Sequence, residues 1–323
     1  MLQRAINLSP VGAAIEFQGG TCLLTKGLTL LSNRTYTGES TTGTVLEQDG
    51  SASYVMASTA YVGNATASGE PLAVRNLTVA CDGSGTTNGI VLMNWQVDVE
   101  NVNVSDCGGS GIVDTNTNSA GGAISNTSVN SRFENNFISD SGHYGFAVLD
   151  SGNSVTDGFL IDNQISSSGM DAIYVQNAAG WDISGNHVYD DEGNGIWALR
   201  LFATTIGSNL IEDFGVGHSS GTWYGISGTV QDGPGSVITG NKIFNYQGES
   251  ASARYIYLGI AGVNSGTGHL AVTGNVVMGV RPRDVGLSFT AGPNRLSVAI
   301  SGNEITGVGT PVAHAGDVAL TGG

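Results

Sequence analysis

The sequence predicts an all-β fold, a solenoid of about nine to eleven parallel coils, because one asparagine recurs at a regular interval between short apolar strands. Asn163, Asn186 and Asn209 are equally spaced along the chain, and each is followed by an apolar segment, a polar turn and a second apolar strand. Regular periods of about 20 to 50 residues are typical of stacked repeats. The full set in this register is Asn76, Asn101, Asn136, Asn163, Asn186, Asn209, Asn241, Asn275 and Asn303.

Asparagine suits a repeated corner for two reasons. It tolerates a left-handed backbone, and its side-chain amide can bond to the same group one coil above and below. A single asparagine would be an ordinary turn residue, whereas nine in register favour an internal ladder. We therefore expect Asn163, Asn186 and Asn209 to stack inside the solenoid.

Because one repeat fills most of the 323 residues, a single elongated domain is expected over 1–323. Leu2, Ala5 and Ile6 have helical spacing before Pro10, which predicts a short N-terminal helix that caps the first coil. The predicted order is a capping helix over 1–10, first coils and a polar loop over 11–70, regular coils over 71–306 and a tail over 307–323. We expect the segment 51–70 to form one wall of a cleft. Further insertions are expected at 114–130, 216–224 and 246–254.

The charge of the chain limits its partners. The formal net charge is −16, from 27 acidic residues against 11 Lys and Arg, which excludes nucleic acid as an expected partner and disfavours polyanionic glycans. No apolar run reaches the length of a membrane span, so membrane insertion is not expected. Export would require a signal outside this sequence.

Three cysteines do not make a disulfide framework. Cys81 and Cys107 follow Asn76 and Asn101 by five and six residues, which places them near one another on consecutive coils. Either a disulfide or two stacked reduced thiols fits that position. Both interpretations stay open at this point.

The segment AINLSPVGAAIEFQGGTCLLTKGLTLLSNRTYTGE resembles the N-terminal part of the pectin-lyase-like right-handed parallel β-helix superfamily, in which a cap helix precedes a Gly-Thr-Tyr phrase. Cys22 stands where that tyrosine is usual. The resemblance implies a right-handed parallel β-helix and a polysaccharide-active enzyme or a phage tailspike. It further implies a secreted, extracellular or virion-surface protein that is a monomer or homotrimer. The motifs of polygalacturonases and of mannuronan epimerases are not found, so no branch is indicated.

Candidate substrate-binding residues lie on the strand after each polar turn. Alternation along a strand predicts an inward set and an outward set. The inward set is Phe146, Ile173, Ile196, Ile226 and Ile256. The outward column is Ala147, Tyr174, Trp197, Ser227 and Tyr257. Beside this column we expect His143, Tyr144, Asp171, Asn194, Arg200, Trp223, Tyr224 and Arg254.

Aromatic and acidic side chains on one face are typical of a sugar-binding site, because rings stack on sugar C–H faces and two carboxyls can act as acid and base at a glycosidic bond. We predict Asp171 as a catalytic carboxyl, with Asp190 or Asp191 as its partner. His143 would orient hydroxyl groups. The predicted substrate-binding residues are Tyr144, Tyr174, Trp197, Arg200, Trp223, Tyr224 and Arg254.

Each aspartate also has a purely structural interpretation, since Asp in a turn commonly bonds its own backbone. Asp190, Asp191 and Glu192 could instead hold Ca²⁺, although the motif is incomplete. No other cofactor or metal is expected. Arg200 and Arg254 could equally be partners of nearby acids.

Three functions follow from these residues. The leading prediction is a glycoside hydrolase that cleaves or rearranges a neutral polysaccharide or oligosaccharide with paired carboxylates. A lyase or epimerase acting on uronates is the enzymatic alternative, in which Arg200, Arg254, His143 and Tyr144 would act. The third is a non-catalytic glycan-binding tailspike or adhesin segment, in which the same aromatic residues only bind.

Overall fold

The computed structural model describes residues 1–83, 85–124, 126–246, 252–262 and 266–322. Parts of the insertion expected at 246–254 and of the tail expected at 307–323 lie outside the described residues. The chain divides into two compact units, Met1–Ile165 and Ser166–Gly323. The single domain over 1–323 therefore stays a prediction, and each unit is described by itself.

The first unit contains two short helices and a series of short strands. The helices are α1 (Leu2–Leu8) and α2 (Thr59–Val62). The strands are β1 (Ala14–Phe17), β2 (Gly20–Leu24), β3 (Leu28–Leu30), β4 (Thr35–Gly38), β5 (Thr44–Gln48), β6 (Tyr54–Ser58), β7 (Leu72–Ala80), β8 (Asn88–Leu92), β9 (Val97–Cys107), β10 (Ile112–Thr115), β11 (Ser128–Val129), β12 (Arg132–Glu134), β13 (Phe137–Ser141), β14 (Phe146–Leu149), β15 (Val155–Thr156) and β16 (Phe159–Ile161). Strand β17 (Gln164–Ser168) spans the boundary between the units.

The described part of the second unit consists of strands and connecting turns. The strands are β18 (Ile173–Val175), β19 (Asp182–Ser184), β20 (His187–Asp191), β21 (Ile196–Leu201), β22 (Thr205–Gly207), β23 (Leu210–Phe214), β24 (Ser220–Val230), β25 (Ser236–Thr239), β26 (Lys242–Phe244), β27 (Ser252–Gly262), β28 (Gly268–Thr273), β29 (Val276–Met278), β30 (Val285–Thr290), β31 (Leu296–Ser301), β32 (Glu304–Thr306), β33 (Thr310–Ala315) and β34 (Val318–Thr321).

Within each unit the strands stack in parallel, one coil on the next. We call one series the front strands. In the first unit the front strands are β3, β6, β8, β10 and β14, and in the second unit they are β18, β21, β24, β27, β30 and β33. The remaining long ladders of the second unit are β19-β22-β25-β28-β31-β34 and β20-β23-β26-β29-β32. One front strand per coil agrees with the predicted nine to eleven coils, and the all-β parallel fold is confirmed.

The predicted asparagine ladder is confirmed inside each unit. In the second unit, the backbone N and Nδ2 of Asn186 both donate to Oδ1 of Asn209 at 3.0 Å. The same pair of bonds recurs from Asn209 to Asn241, then to Asn275 and to Asn303. In the first unit Asn136 makes these two bonds to Asn163. The ladder supplies polar partners to backbone groups that the corner would otherwise bury unpaired.

Asn76 and Asn101 are not members of the ladder, which corrects the sequence prediction. Both are left-handed, with φ of 55° and 53°, and Nδ2 of Asn101 donates to Oδ1 of Asn76 at 2.8 Å. The backbone N of Val102 occupies the ladder position, donating to Oδ1 of Asn136. These two asparagines therefore occupy the position just before the ladder, where asparagine is favoured because it tolerates positive φ.

The front face of the first unit is covered by the chain's own residues. Outward-facing Ala57, Val91, Val113 and Ala147 are buried beneath five partly buried side chains. The covering residues are Tyr54, Tyr61, Val62, Tyr144 and Leu149. Segment 51–70, which includes α2, therefore closes this face rather than forming the wall of a cleft.

The structure resolves the alternative that the sequence left open for the cysteines. Cys81 and Cys107 form a disulfide with a Cα–Cα distance of 4.8 Å, and Cys22 is a free thiol. In α1 only Ile6 is buried, and the Gln3 side chain exchanges two hydrogen bonds with the backbone of Thr29, so these two side chains anchor the helix. Among the described residues, no helix is long and apolar enough to cross a membrane.

Candidate functional site

The front face of the second unit carries a groove lined by aromatic, small and hydroxyl-bearing residues. Parallel register places Tyr174 beside Trp197, Trp197 beside Ser227, Ser227 beside Gly259 and Gly259 beside Ser288. Ile173, Ile196 and Ile226 are fully buried, as predicted. The outward column is thus confirmed from Tyr174 to Ser227.

The end of the predicted column is wrong, because strand β27 is shifted by two residues from the expected alignment. Ile226 pairs with Leu258, whereas Ile256 had been expected there. Tyr257 points inward and is fully buried, with its ring 5.6 Å from Phe214 in an edge-to-face contact. The segment YIYLGI is apolar throughout, so sequence alternation could not indicate which residues face inward. The same shift places Arg254 beside Thr222, where it had been expected beside Tyr224.

The groove in the second unit, which we call the front groove, has a volume of about 300 Å³. Its walls include Trp197, which is 37% exposed, and Tyr224. Trp197 meets the ring of Tyr174 edge to face at 5.8 Å. The full lining is Trp197, Leu199, Tyr224, Ser227, Gly228, Thr229, Gly259, Ile260, Ala261, Ser288 and Thr290.

Gly259 is needed for the shape of the front groove. A methyl group at this position would lie 2.6 Å from Cε1 of Tyr224, closer than any ordinary contact. The Tyr224 ring therefore lies directly over Gly259. The next strand, β30, contributes only the small side chains of Ser288 and Thr290 to the groove. These small residues leave a shallow floor on which a flat ring can rest.

The polar groups of the groove are hydroxyls and backbone groups. Oγ1 of Thr229 accepts a hydrogen bond from the backbone N of Arg200 at 2.8 Å. Arg200 is left-handed, with φ of 62°, at an irregularity in the pairing of β21 with β24. No carboxylate is present among the described lining residues. The groove is therefore suited to uncharged hydroxyl-bearing ligands.

Asp171 lies at the start of the strand that carries Tyr174 and is 5% exposed. Its Oδ1 accepts from the backbone N and Nδ2 of Asn194 at 2.9 and 2.7 Å, and Oδ1 of Asn194 accepts from the backbone N of Tyr224 at 2.8 Å. Burial raises the pKa of Asp171, and the bonds from Asn194 oppose that rise. The Asp171 carboxyl, the Asn194 side chain and the backbone N of Tyr224 thus form a second polar ladder. This ladder positions the strand that bears Tyr224.

Asp191 is fully buried, so the expectation that it faces a substrate is wrong. Its Oδ1 accepts from the backbone N of Ser168 at 2.8 Å, and burial raises its pKa well above the usual value. The cause is Asp190, whose left-handed φ of 58° turns the next side chain inward. Asp190 itself is exposed, and partial burial together with the charges of Asp213 and Glu212 raises its pKa.

Among the described residues, no group of three or more Asp, Glu, His or Cys side chains comes together to hold a metal ion. The acids of the Asp190, Asp191 and Glu192 cluster are therefore not gathered around one point. Its acids point to different environments, with Asp191 in the core and Asp190 exposed. Ca²⁺ as a cofactor stays an untested prediction.

Trp223 has a local role that the sequence did not predict. Its ring stacks on His218 at 4.1 Å with an interplanar angle of 16°, and Nε1 donates to the carbonyl of Ser220. These contacts hold the turn at the start of strand β24. They also keep Trp223 out of the lining of the front groove. His143, which is exposed, and Tyr144, which packs over Ala147, belong to the first unit.

Sequence reasoning missed the floor of the groove, namely Gly259, Ser288, Thr229 and Thr290. Glycine, serine and threonine at these positions resemble turn or strand residues anywhere in the chain. The signal that identifies them is the strand register, because Gly259 and Ser288 continue the column of Trp197 and Ser227.

Comparisons with known proteins agree with this architecture. A family model described as "Right handed beta helix region" matches residues 88–321. No curated protein sequence matches the chain significantly. Three solved structures illustrate the similarity. Each has low sequence identity to this chain, so they indicate the fold only.

The A-module of the mannuronan C-5 epimerase AlgE4 from Azotobacter vinelandii has 16% identity and a TM-score of 0.64, with 99% of this chain and 94% of that chain covered. The surface adhesin PfbA of Streptococcus pneumoniae has 12% identity and a TM-score of 0.57, with 96% and 88% covered. The catalytic unit of a thermostable GH87 α-1,3-glucanase from Streptomyces thermodiastaticus has 16% identity and a TM-score of 0.50, with 99% and 65% covered.

Proposed function

Because the chain belongs to the right-handed β-helix family, we propose that it is a carbohydrate-binding protein that holds a neutral polysaccharide or oligosaccharide in the front groove. The observation that carries this proposal is the exposed Trp197 beside Tyr224 over a floor of Gly259 and Ser288. Aromatic faces stack on sugar rings, and hydroxyls exchange hydrogen bonds with sugar hydroxyls. Because the described lining holds neither an acidic nor a basic side chain, the groove favours an uncharged chain.

Proteins of similar fold support a carbohydrate partner. The names of two of them refer to mannuronan and α-1,3-glucan, and a third is named as a surface adhesin. The Cys81–Cys107 disulfide supports an oxidising location, because such bonds persist outside the cytosol. We accordingly propose a secreted or surface-exposed protein.

A binding titration tests the proposal. Wild-type protein is titrated by calorimetry with neutral oligosaccharides chosen from a glycan array. Trp197→Ala should weaken binding about tenfold, or ~1.4 kcal/mol, because it removes the exposed ring of the groove. Trp95→Ala is the matched control, since Trp95 is 45% exposed and belongs to the first unit.

Equal affinity in wild type and Trp197→Ala would refute binding in the front groove. Loss of affinity in both tryptophan variants would also refute it, since Trp95 does not line the groove. Failure of every neutral glycan on the array to bind would refute the ligand class.

Glycoside hydrolysis is the second candidate, favoured by the raised pKa of Asp171 next to Tyr174. A raised pKa makes a carboxyl a better proton donor to a leaving oxygen. Exposed Asp190, whose pKa is also raised, is the remaining partner from the predicted set.

Product analysis distinguishes this candidate from binding alone. Hydrolysis generates new reducing ends, and Asp171→Asn should lower turnover at least about a hundredfold. Because an asparagine oxygen can still accept from Asn194, stability should change little. Binding by the wild type without new reducing ends would exclude the hydrolase and retain the binding proposal. An unsaturated product absorbing in the ultraviolet would instead indicate the lyase alternative.

A further inference from the structure

We propose that a depression on the first unit, here called the Arg34 pocket, binds a sugar that carries a carboxylate. It lies where strands β4, β7, β9 and β12 begin and has a volume of about 700 Å³. Arg34, Gln96 and Arg132 contribute to its lining together with Asn33 and Asn130. Asp98 also lines the pocket, and its carboxylate is paired with Arg75. This site does not depend on the front groove, which belongs to the second unit.

Arg34 supplies a positive charge that neutral acceptors hold in place. Its Nη1 donates to the carbonyl of Ser32 at 2.6 Å, and its Nη2 and Nε donate to the carbonyl and Oγ of Ser9 at 2.8 and 3.2 Å. Across the described residues, no carboxylate forms an ion pair with Arg34. A guanidinium has five N–H donors, so part of its hydrogen-bonding capacity stays available together with its charge.

The other charges near the pocket are already paired. Arg75 forms ion pairs with Asp98 and with Glu100, and Nη1 of Arg132 lies 2.8 Å from Glu134. Arg132 also lies over the ring of Phe159 at 4.7 Å. Arg34 is therefore the cation of this surface that is left to attract an anion, in a chain whose net charge is −16.

Three amide side chains surround this charge. Asn33, Gln96 and Asn130 precede strands β4, β9 and β12, and within the described residues their side-chain amides make no hydrogen bond. Left-handed φ values of 57° and 59° explain the two asparagines as turn residues. Gln96 has a φ of 141°, a conformation rarely adopted by a residue with a side chain. Backbone strain of this kind is concentrated at binding sites.

The chemistry of the ligand follows from these groups. A planar guanidinium with free N–H groups pairs with a carboxylate. Amides both donate and accept, which suits the hydroxyl groups of a sugar ring. A uronic-acid-type residue offers both features on one ring. A neutral sugar leaves the charge of Arg34 unpaired, and an inorganic anion lacks the ring hydroxyls that exchange hydrogen bonds with the amides.

Titration of wild-type protein with sodium D-glucuronate, methyl glucoside and inorganic phosphate tests the proposal, with chemical shifts as the readout. We expect glucuronate to bind at least about tenfold more tightly than either of the other probes. Arg34→Gln should weaken glucuronate binding about tenfold, and Gln96→Gly about threefold through the lost amide. Arg4→Gln, which changes an exposed arginine of α1, is the matched control and should bind as wild type does.

Arg34 also holds Ser9 and Ser32, so Arg34→Gln could fail to fold. Gln96→Gly keeps the test decisive, because glycine adopts the positive φ of this position without strain. Unchanged glucuronate affinity in a folded Gln96→Gly protein would overturn the proposal. So would phosphate binding as tightly as glucuronate, which would indicate a simple anion site, or weakened binding in Arg4→Gln.

Discussion

Replacing Asn209 with leucine should destabilise the second unit strongly, because this residue is 1% exposed and joins three consecutive coils. Its Nδ2 donates to the carbonyl of Ile183 and to Oδ1 of Asn241, both at 2.9 Å. Its Oδ1 accepts from the backbone N and Nδ2 of Asn186 at 3.0 Å. Leucine has nearly the same shape, so the substitution removes these four bonds without opening a cavity.

The size of the effect follows from the groups left behind. Each buried donor or acceptor that loses its partner costs about 1–3 kcal/mol. The three groups that lose a partner are the backbone N and Nδ2 of Asn186 and the carbonyl of Ile183. After the surrounding structure relaxes, we expect Asn209→Leu to lower the free energy of unfolding by about 3–6 kcal/mol. Asn303 is the last asparagine of the ladder and is only partly buried. There water can replace the lost bonds, so Asn303→Leu should cost about 1–2 kcal/mol.

Denaturant unfolding followed by circular dichroism, with both variants compared with wild type, measures this difference. A loss of less than about 1 kcal/mol for Asn209→Leu would refute the buried ladder as a source of stability. Equal losses in the two variants would refute the dependence on burial.

Three further predictions concern the core, the disulfide and the groove. Burial raises the pKa of Asp114, which is 0% exposed, to about 7, so the folded state holds a proton that the unfolded state releases near pH 4. The free energy of unfolding should then fall as pH rises from about 4 through 7. Denaturant unfolding at pH 5 and 8 measures this fall, and Asp114→Asn should remove most of it. Thiol titration of the oxidised protein should detect only Cys22, and three reactive thiols would contradict the disulfide. The double variant Cys81→Ser with Cys107→Ser should lose about 3 kcal/mol of stability. Gly259→Ala should displace the Tyr224 ring and weaken glycan binding in calorimetry, whereas Gly235→Ala, whose added methyl would meet nothing closer than 3.5 Å, should not.

The periodic parts of the fold could be predicted from the sequence. Asn186 and Asn209 recur at a fixed interval because the ladder needs the same amide at each coil, and the corresponding isoleucines recur for the same reason. Alternation also located Tyr174 and Trp197 on the outer face. These features depend on local spacing, which is visible without a structure.

Features that depend on a shift of register could not be predicted. Tyr257 is buried because strand β27 is displaced by two residues in an apolar segment without alternation. Asp191 is buried because the left-handed backbone of Asp190 turns the next side chain to the inner face of strand β20. Gly259 was missed because a glycine that makes room for a ring has no distinctive neighbour in sequence.

The Arg34 pocket was missed for a different reason. Arg34 and Gln96 lie far apart in the sequence, and no motif links them. Only the stacking of coils brings them to one surface, and only the pairing of the other arginines shows that the charge of Arg34 is left over.

A crystal structure of the protein with the best-binding neutral oligosaccharide is the most direct test of glycan binding in the front groove. We predict a sugar ring against Trp197 or Tyr224, with its hydroxyls on Ser227, Ser288 or Thr290. An oligosaccharide bound elsewhere on the second unit, or on the first unit only, with the front groove empty, would contradict it.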